Sequence, residues 1–132
     1  MVTTLVGLTE DELDTPALVV DVDTLDRNIA HVAKTLREAG VQWRPHAKGH
    51  KTPAIANRFM QAGAIGATVA KVGDAEIMAA AGIKDILIAN QVVGPIKTRR
   101  LMGLIASTGA DVIVSVDSEA NVRELNEMAG QF

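Results

Sequence analysis

The stretch Arg44-Pro45-His46-Ala47-Lys48-Gly49-His50-Lys51 gathers five basic or imidazole side chains within eight residues. It closes a strand-like run, 41–47. A helix is signalled directly behind it by Thr52-Pro53, a capping residue followed by proline at the first helical position. A polar cluster where a strand hands over to a helix is where α/β proteins keep their chemistry. Alternation along the strand puts Arg44, His46 and Lys48 on one face, with Lys48 last, at the C-terminal end.

Working outward, the same handover recurs along the chain. Residues 1–16 read as an arm, with a polar Thr9-Glu10-Asp11-Glu12 and turn chemistry at Asp14-Thr15-Pro16. Ala17 to Val22 is a short apolar strand. Asp23 caps an amphipathic helix over 24–39, with Asp26 completing a capping box and Leu25, Ile29, Val32 and Leu36 at helical spacing. Gly40 ends it. Strand 41–47 then leads to a helix over 53–62, stopped by Gly63. Strand 66–70 leads to a helix over 74–81, stopped by Gly82. Strand 85–89 leads to a helix from Pro95 to Ser107, stopped by Gly109. Strand 111–116 leads to a helix capped by Ser118 and running to Ala129. Apolar runs such as Ile86-Leu87-Ile88-Ala89 and Val112-Ile113-Val114 suit strands buried on both faces of a parallel sheet. Alternating strands and helices make right-handed βαβ units, which places strands 41–47, 66–70, 85–89 and 111–116 side by side in that order. Two α/β architectures fit: a self-contained doubly wound sheet, or the first half of a (β/α)8 barrel, which needs about 250 residues.

Composition narrows the function classes. The 132 residues include 48% hydrophobic ones, enough for one real core, and the net charge is −3. An acidic balance argues against nucleic acid as the main partner. There is no cysteine, which excludes disulfides and thiolate metal sites. The opening Met1-Val2-Thr3-Thr4-Leu5 has no basic, apolar signal pattern, and no apolar run is long enough to span a membrane. A cytoplasmic protein is the expectation. Aromatic residues are limited to Trp43, Phe59 and Phe132, so aliphatic side chains and Met build the core.

Lys48 is the first candidate for chemistry. An amine at a strand's C-terminal end is placed to form a Schiff base with a carbonyl, and neighbouring cations at Arg44, His50 and Lys51 favour its free form. The bland alternative is a solvated basic turn. His46, on the same face, either tunes Lys48 and contacts a cofactor or is a satisfied core histidine. His46 and His50 straddle a strand end and make a poor metal pair. Asn90-Gln91 and Asp117-Ser118 sit at other strand ends on the same rim. Gln91 can reach substrate or cofactor, whereas Asp117-Ser118 is capping chemistry. Lys71 faces the rim without an evident role.

The ten residues Arg44 to Pro53 resemble the cofactor-lysine motif of the D-threonine aldolases and D-serine dehydratase-like enzymes, within the alanine-racemase-like group. Asp14-Thr15-Pro16-Ala17 with Asp21-Val22-Asp23, Gly66 to Glu76, and Ile88-Ala89-Asn90-Gln91-Val92-Val93-Gly94 resemble further stretches of that family. The likeness spans about 14–129. It implies a fold: the N-terminal half of a (β/α)8 TIM-type barrel that binds pyridoxal 5'-phosphate, with 17–132 a partial barrel domain and strand 17–22 belonging to a β-rich domain outside this chain. It implies that Lys48 holds the cofactor. The residue reading adds His46 beside the cofactor, and Gln91 and Arg44 either at the substrate or just behind the residues that touch it. The likeness implies a lyase that cleaves D-threonine to glycine and an aldehyde, or, alternatively, a dehydratase of a D-hydroxy amino acid. A divalent metal would take its ligands from outside this chain, and the complete enzyme would be a homo-oligomer. One departure is Gly49, where the family usually has Thr.

Two other classes were weighed on the residues alone. A phosphate-accepting receiver domain would use carboxylates such as Asp21 and Asp23 to hold Mg²⁺, but the Lys-Pro pair expected after its fifth strand is absent. A non-catalytic fragment would bind partners through open sheet edges.

Overall fold

The computed structural model describes residues 5–132. Residues 1–4, the start of the expected arm, lie outside the described residues. Three parallel strands form the sheet, in the order β1 (Ala67–Val69), β2 (Asp85–Gln91) and β3 (Asp111–Ser115). Five helices accompany them: α1 (Val22–Glu38), α2 (Pro53–Gln61), α3 (Val72–Ala80), α4 (Pro95–Thr108) and α5 (Glu119–Ala129). Segment 41–47 runs parallel to β1 on its free side, bridged at His46–Thr68. The order expected from consecutive βαβ units is therefore realised, and the fold is the N-terminal part of a barrel-like α/β architecture.

Helices cover one face of the sheet. Val69, Ile86 and Ile88 point into them and are fully buried with Met78, Leu101 and Thr98. The stops expected at Gly40, Gly63, Gly82 and Gly109 all adopt positive φ, which costs glycine nothing. The other face is open, and there the expectation of strands buried on both sides fails. Asp85 and Leu87 are only half-buried and Ile113 is exposed, because nothing among the described residues packs over them.

Three further expectations are corrected. Segment 17–21 is not a strand: Leu18, Val19 and Val20 are exposed and Val22 already belongs to α1. An isolated apolar run finds no ladder partner here, and an extended strand without one leaves its backbone groups to water. The cap of α1 is Asp21, whose Oδ1 accepts from the Thr24 backbone N–H at 2.7 Å, rather than Asp23. Asp26 does not close a capping box; it pairs with Arg58 at 2.7 Å and ties α1 to α2. Finally, 41–47 is extended but barely a strand. Its ladder consists of Ile65 N–H to Trp43 O, Thr68 N–H to Pro45 O and Ala47 N–H to Thr68 O. The N–H that would bond next, at residue 45, is missing because the residue is proline.

Candidate active site

The pleat and the register sort the open face into rows. The register sets Asp85 beside Asp111 in one row and Thr68, Leu87 and Ile113 in the next. His46 joins the second row through its bridge to Thr68, and Arg44, two residues earlier, reaches back to Asp85. Lys48 follows in the turn beyond the bridge, at the C-terminal rim. Its side chain is exposed, and among the described residues its amine makes no hydrogen bond and no ion pair.

The turn after Lys48 is closed by the Lys51 N–H donating to Ala47 O at 2.7 Å, with Lys51 held at φ 51. A left-handed lysine is uncommon and marks a backbone fixed by its surroundings. His46 does engage Lys48, though through the main chain: its Nδ1 accepts the Lys48 backbone N–H at 3.1 Å. That leaves the ring proton on Nε2, directed away from this contact. His50 acts in the same way one step on. Its Nδ1 accepts from Thr52 N–H at 3.0 Å and its carbonyl accepts from the Thr52 hydroxyl at 2.7 Å, fixing the entry to α2. Thr52 thus precedes the helix as expected, but its hydroxyl bonds backwards and does not cap. The ring of His50 packs against Phe59, and its Nε2 is buried with no partner among the described residues. Burial holds its pKa below the usual value.

At the end of β2 the ladder shifts. Ile88 pairs with Val114, but the next pair is Gln91 with Ser115, so Ala89 and Asn90 bulge out. Bulges re-aim side chains at strand ends. This one brings Gln91, in place of Ala89, level with Ser115 in the rim row. Asn90 stabilises the bulge by accepting from the Gln91 N–H at 3.0 Å. Ser118 caps α5, accepting from Asn121 N–H at 3.3 Å, as the sequence indicates. Lys71 precedes α3 and lies 3.9 Å from Asp74, so its role at the rim is local.

Arg44 is not at the rim. It is four residues back from Lys48, about 13 Å along an extended chain, and it is engaged by Asp85. Its Nε donates to Asp85 Oδ1 at 2.5 Å and its second nitrogen to Oδ2 at 2.9 Å. That hydrogen-bonded pairing, with the charges of Asp85 and Asp111, raises the arginine pKa further. Asp85, Gly66 and Thr68 were not singled out from the sequence. The available signal was an acidic residue opening an apolar strand in the same row as an inward arginine. A cavity of about 360 Å³ lies between α1 and the start of segment 41–47, at the opposite end of the strands from Lys48. Among the described residues no three His, Asp or Glu side chains come together as a metal site.

The alanine racemase N-terminal domain model matches residues 20–131. The chain belongs to that family. Within it, the chain is 38% identical over 126 residues to the 3-hydroxy-D-aspartate aldolase of Paracoccus denitrificans, covering 95% of this chain and 32% of that protein. The crystal structure of D-threonine aldolase from Filomicrobium marinum superposes with a TM-score of 0.85 at 43% identity, over 89% of this chain and 31% of that one. The D-threo-3-hydroxyaspartate dehydratase from Delftia sp. HT23 superposes at 0.82 with 36% identity, over 91% of this chain and 31% of the other. The chain thus spans about a third of the length of these relatives.

Proposed function

We propose that this chain is the lysine-bearing part of a pyridoxal-phosphate lyase that cleaves a D-β-hydroxy amino acid, D-threonine being the reference substrate. The observation that carries the reading is Lys48: an exposed amine, unengaged among the described residues, in the turn that follows segment 41–47 at the C-terminal end of the sheet. Barrel enzymes place their reacting groups at that end. A primary amine free of ion pairs fits a cofactor aldehyde, so the residues present suit the group. When bound, the cofactor accepts the electron pair released as a bond to the substrate Cα breaks.

The chain's own contribution is positional. The Lys48 backbone is pinned by His46 Nδ1 before the turn and by the Ala47–Lys51 hydrogen bond across it, so the amine projects from a fixed point. His46 keeps its Nε2 proton available to a neighbouring acceptor in the same row. Gln91, brought into line by the bulge, offers an amide donor and acceptor to a substrate carboxylate or hydroxyl. In the cleavage, the Cα–Cβ bond breaks, the β-hydroxyl loses its proton as the carbonyl forms, and Cα takes up a proton, giving glycine and an aldehyde. The base that takes this proton belongs to the remainder of such an enzyme, as does any metal ligand set. A dehydratase acting on the same class of substrate is the second reading, favoured by the 0.82 superposition on the Delftia enzyme. The receiver-domain reading loses its basis, since Asp21 is spent on the α1 cap.

Incubation with pyridoxal phosphate, borohydride reduction and peptide mapping test the assignment. Lys48 should carry most of the label, ahead of Lys51, Lys71 and Lys97, and the yellow colour of the adduct before reduction should fade in Lys48→Ala. Label spread evenly over these four lysines would remove the reading.

A further inference from the structure

The half-buried ion pair on the open face does work that a substrate contact would not. Segment 41–47 is the weakest member of the sheet: three backbone hydrogen bonds, one of them out of step at Ile65, and a proline where the ladder should continue. So little backbone pairing specifies register poorly. A one-residue slip turns every side chain to the other face, and a two-residue slip moves Lys48 by about 6.6 Å along the strand.

Arg44 compensates from the side-chain layer. Its guanidinium passes over β1 altogether and grips Asp85 on β2, through two nearly parallel hydrogen bonds of 2.5 and 2.9 Å. The two side chains are 28% and 30% exposed, partly shielded from water. The strand crossed is bare at that level. A Cβ on Gly66 would stand 2.2 Å from the Asp85 carbonyl oxygen and 2.6 Å from its Oδ1, so only glycine leaves this passage open. Thr68, buried on β1, adds a third tie, donating its hydroxyl to Arg44 O at 2.8 Å. A fork-to-fork pairing of this kind has a narrow geometric optimum and is lost on a slip in either direction. Asp85 itself is held firmly, paired in register with Asp111 on the far side.

The geometry points to Arg44 and Asp85 as a register lock: positioning residues that fix the segment carrying Lys48 against β1 and β2, and so fix where its amine emerges. The consequence for the cofactor rests on the reading of Lys48 given above; the lock itself does not. Of the two places the sequence reading allows Arg44, beside the substrate or behind the residues that touch it, the lock takes the second.

Two readouts test this in the same protein. Amide hydrogen exchange follows the N–H groups of Ala47 and Thr68, which bond across the 41–47/β1 junction, with the amides between β2 and β3 as internal control. In Asp85→Asn the junction amides should exchange about tenfold faster while the β2–β3 amides hold, because the opening is local. Arg44→Lys, which keeps the charge but not the fork, should fall between. Pyridoxal-phosphate labelling follows the amine: the Lys48 to Lys51 ratio should drop severalfold in Asp85→Asn and recover partly in Asp85→Glu. Should Asp85→Asn not fold, Arg44→Gln keeps the stem over Gly66 and supplies the comparison. Unchanged exchange at Ala47 and Thr68, or equal acceleration throughout the sheet, overturns the lock. Even labelling in the unsubstituted chain instead removes the Lys48 reading, and exchange alone then decides the lock.

Discussion

At the scale of the residue, the basic stretch resolves into side chains with separate tasks. His46 and His50 both use Nδ1 to hold a backbone N–H, while the amines of Lys48 and Lys51 have no partner among the described residues. Gly49 departs from the family's usual Thr, yet nothing in the structure requires glycine there: an added Cβ meets no atom within 4 Å, and φ is not in the left-handed region. Gly49→Thr should therefore raise stability by about 0.4–1 kcal/mol, chiefly by restricting the unfolded chain, with a chemical denaturation curve as the check. A loss of stability would show that the turn needs glycine's freedom after all. His50 gives a pH prediction. Burial lowers its pKa from the usual 6.5, so the unfolded chain takes up this proton first as pH falls. Its contribution is fully present above pH 6.5 and is lost as pH drops through the lowered folded value. Denaturation midpoints at roughly pH 7.5 and 5.5 should differ in that direction, and His50→Gln should reduce the difference.

At the scale of the element, helices were the more legible part. Their periodic apolar faces and glycine stops lie in local sequence, and the five expected helices form within about two residues of their expected ends. Caps were less secure, because several carboxylates compete. Asp21, Asp23 and Asp26 all lie near the start of α1, and geometry gives the cap to Asp21. Asp21→Ala should then lower α1 helicity and stability, while Asp23→Ala changes little; circular dichroism with a thermal melt separates them. At α5 the expected cap is the observed one, and Ser118→Ala should cost about 1 kcal/mol, read by the same melt. Strands were harder to read. Segments 17–22 and 41–47 have strand-like composition, but a strand exists only through its partner, and partners are not written in local sequence. Asp85 could not be tied to Arg44 before the register placed them in one row across Gly66.

At the scale of the whole molecule, the sheet is one-sided. Its helical face is packed, its other face carries Asp85, Leu87, Asp111 and Ile113, and the outer edge of β3 has no partner among the described residues. Leu18, Val19 and Val20 add an exposed apolar run. Such surfaces and edges favour association. Size-exclusion chromatography over a concentration series should show self-association, reduced by Ile113→Lys on the open face. A monodisperse monomer at every concentration would contradict the expectation.

The sequence by itself determined the order of the five helices and of β1 to β3, their parallel alternation, and the place of Lys48 just after the extended segment 41–47. These follow from periodicities of 3.6 and 2 and from local stop and start signals, which act over a few residues. The tertiary structure alone decided which of these side chains stays free. Arg44 is taken by a carboxylate 41 residues away, His46 turns back on its own backbone, and Gln91 replaces Ala89 in the rim row through a bulge. The first depends on the absence of a Cβ at Gly66 and the last on the register of β2 against β3, quantities that exist only once distant segments lie side by side.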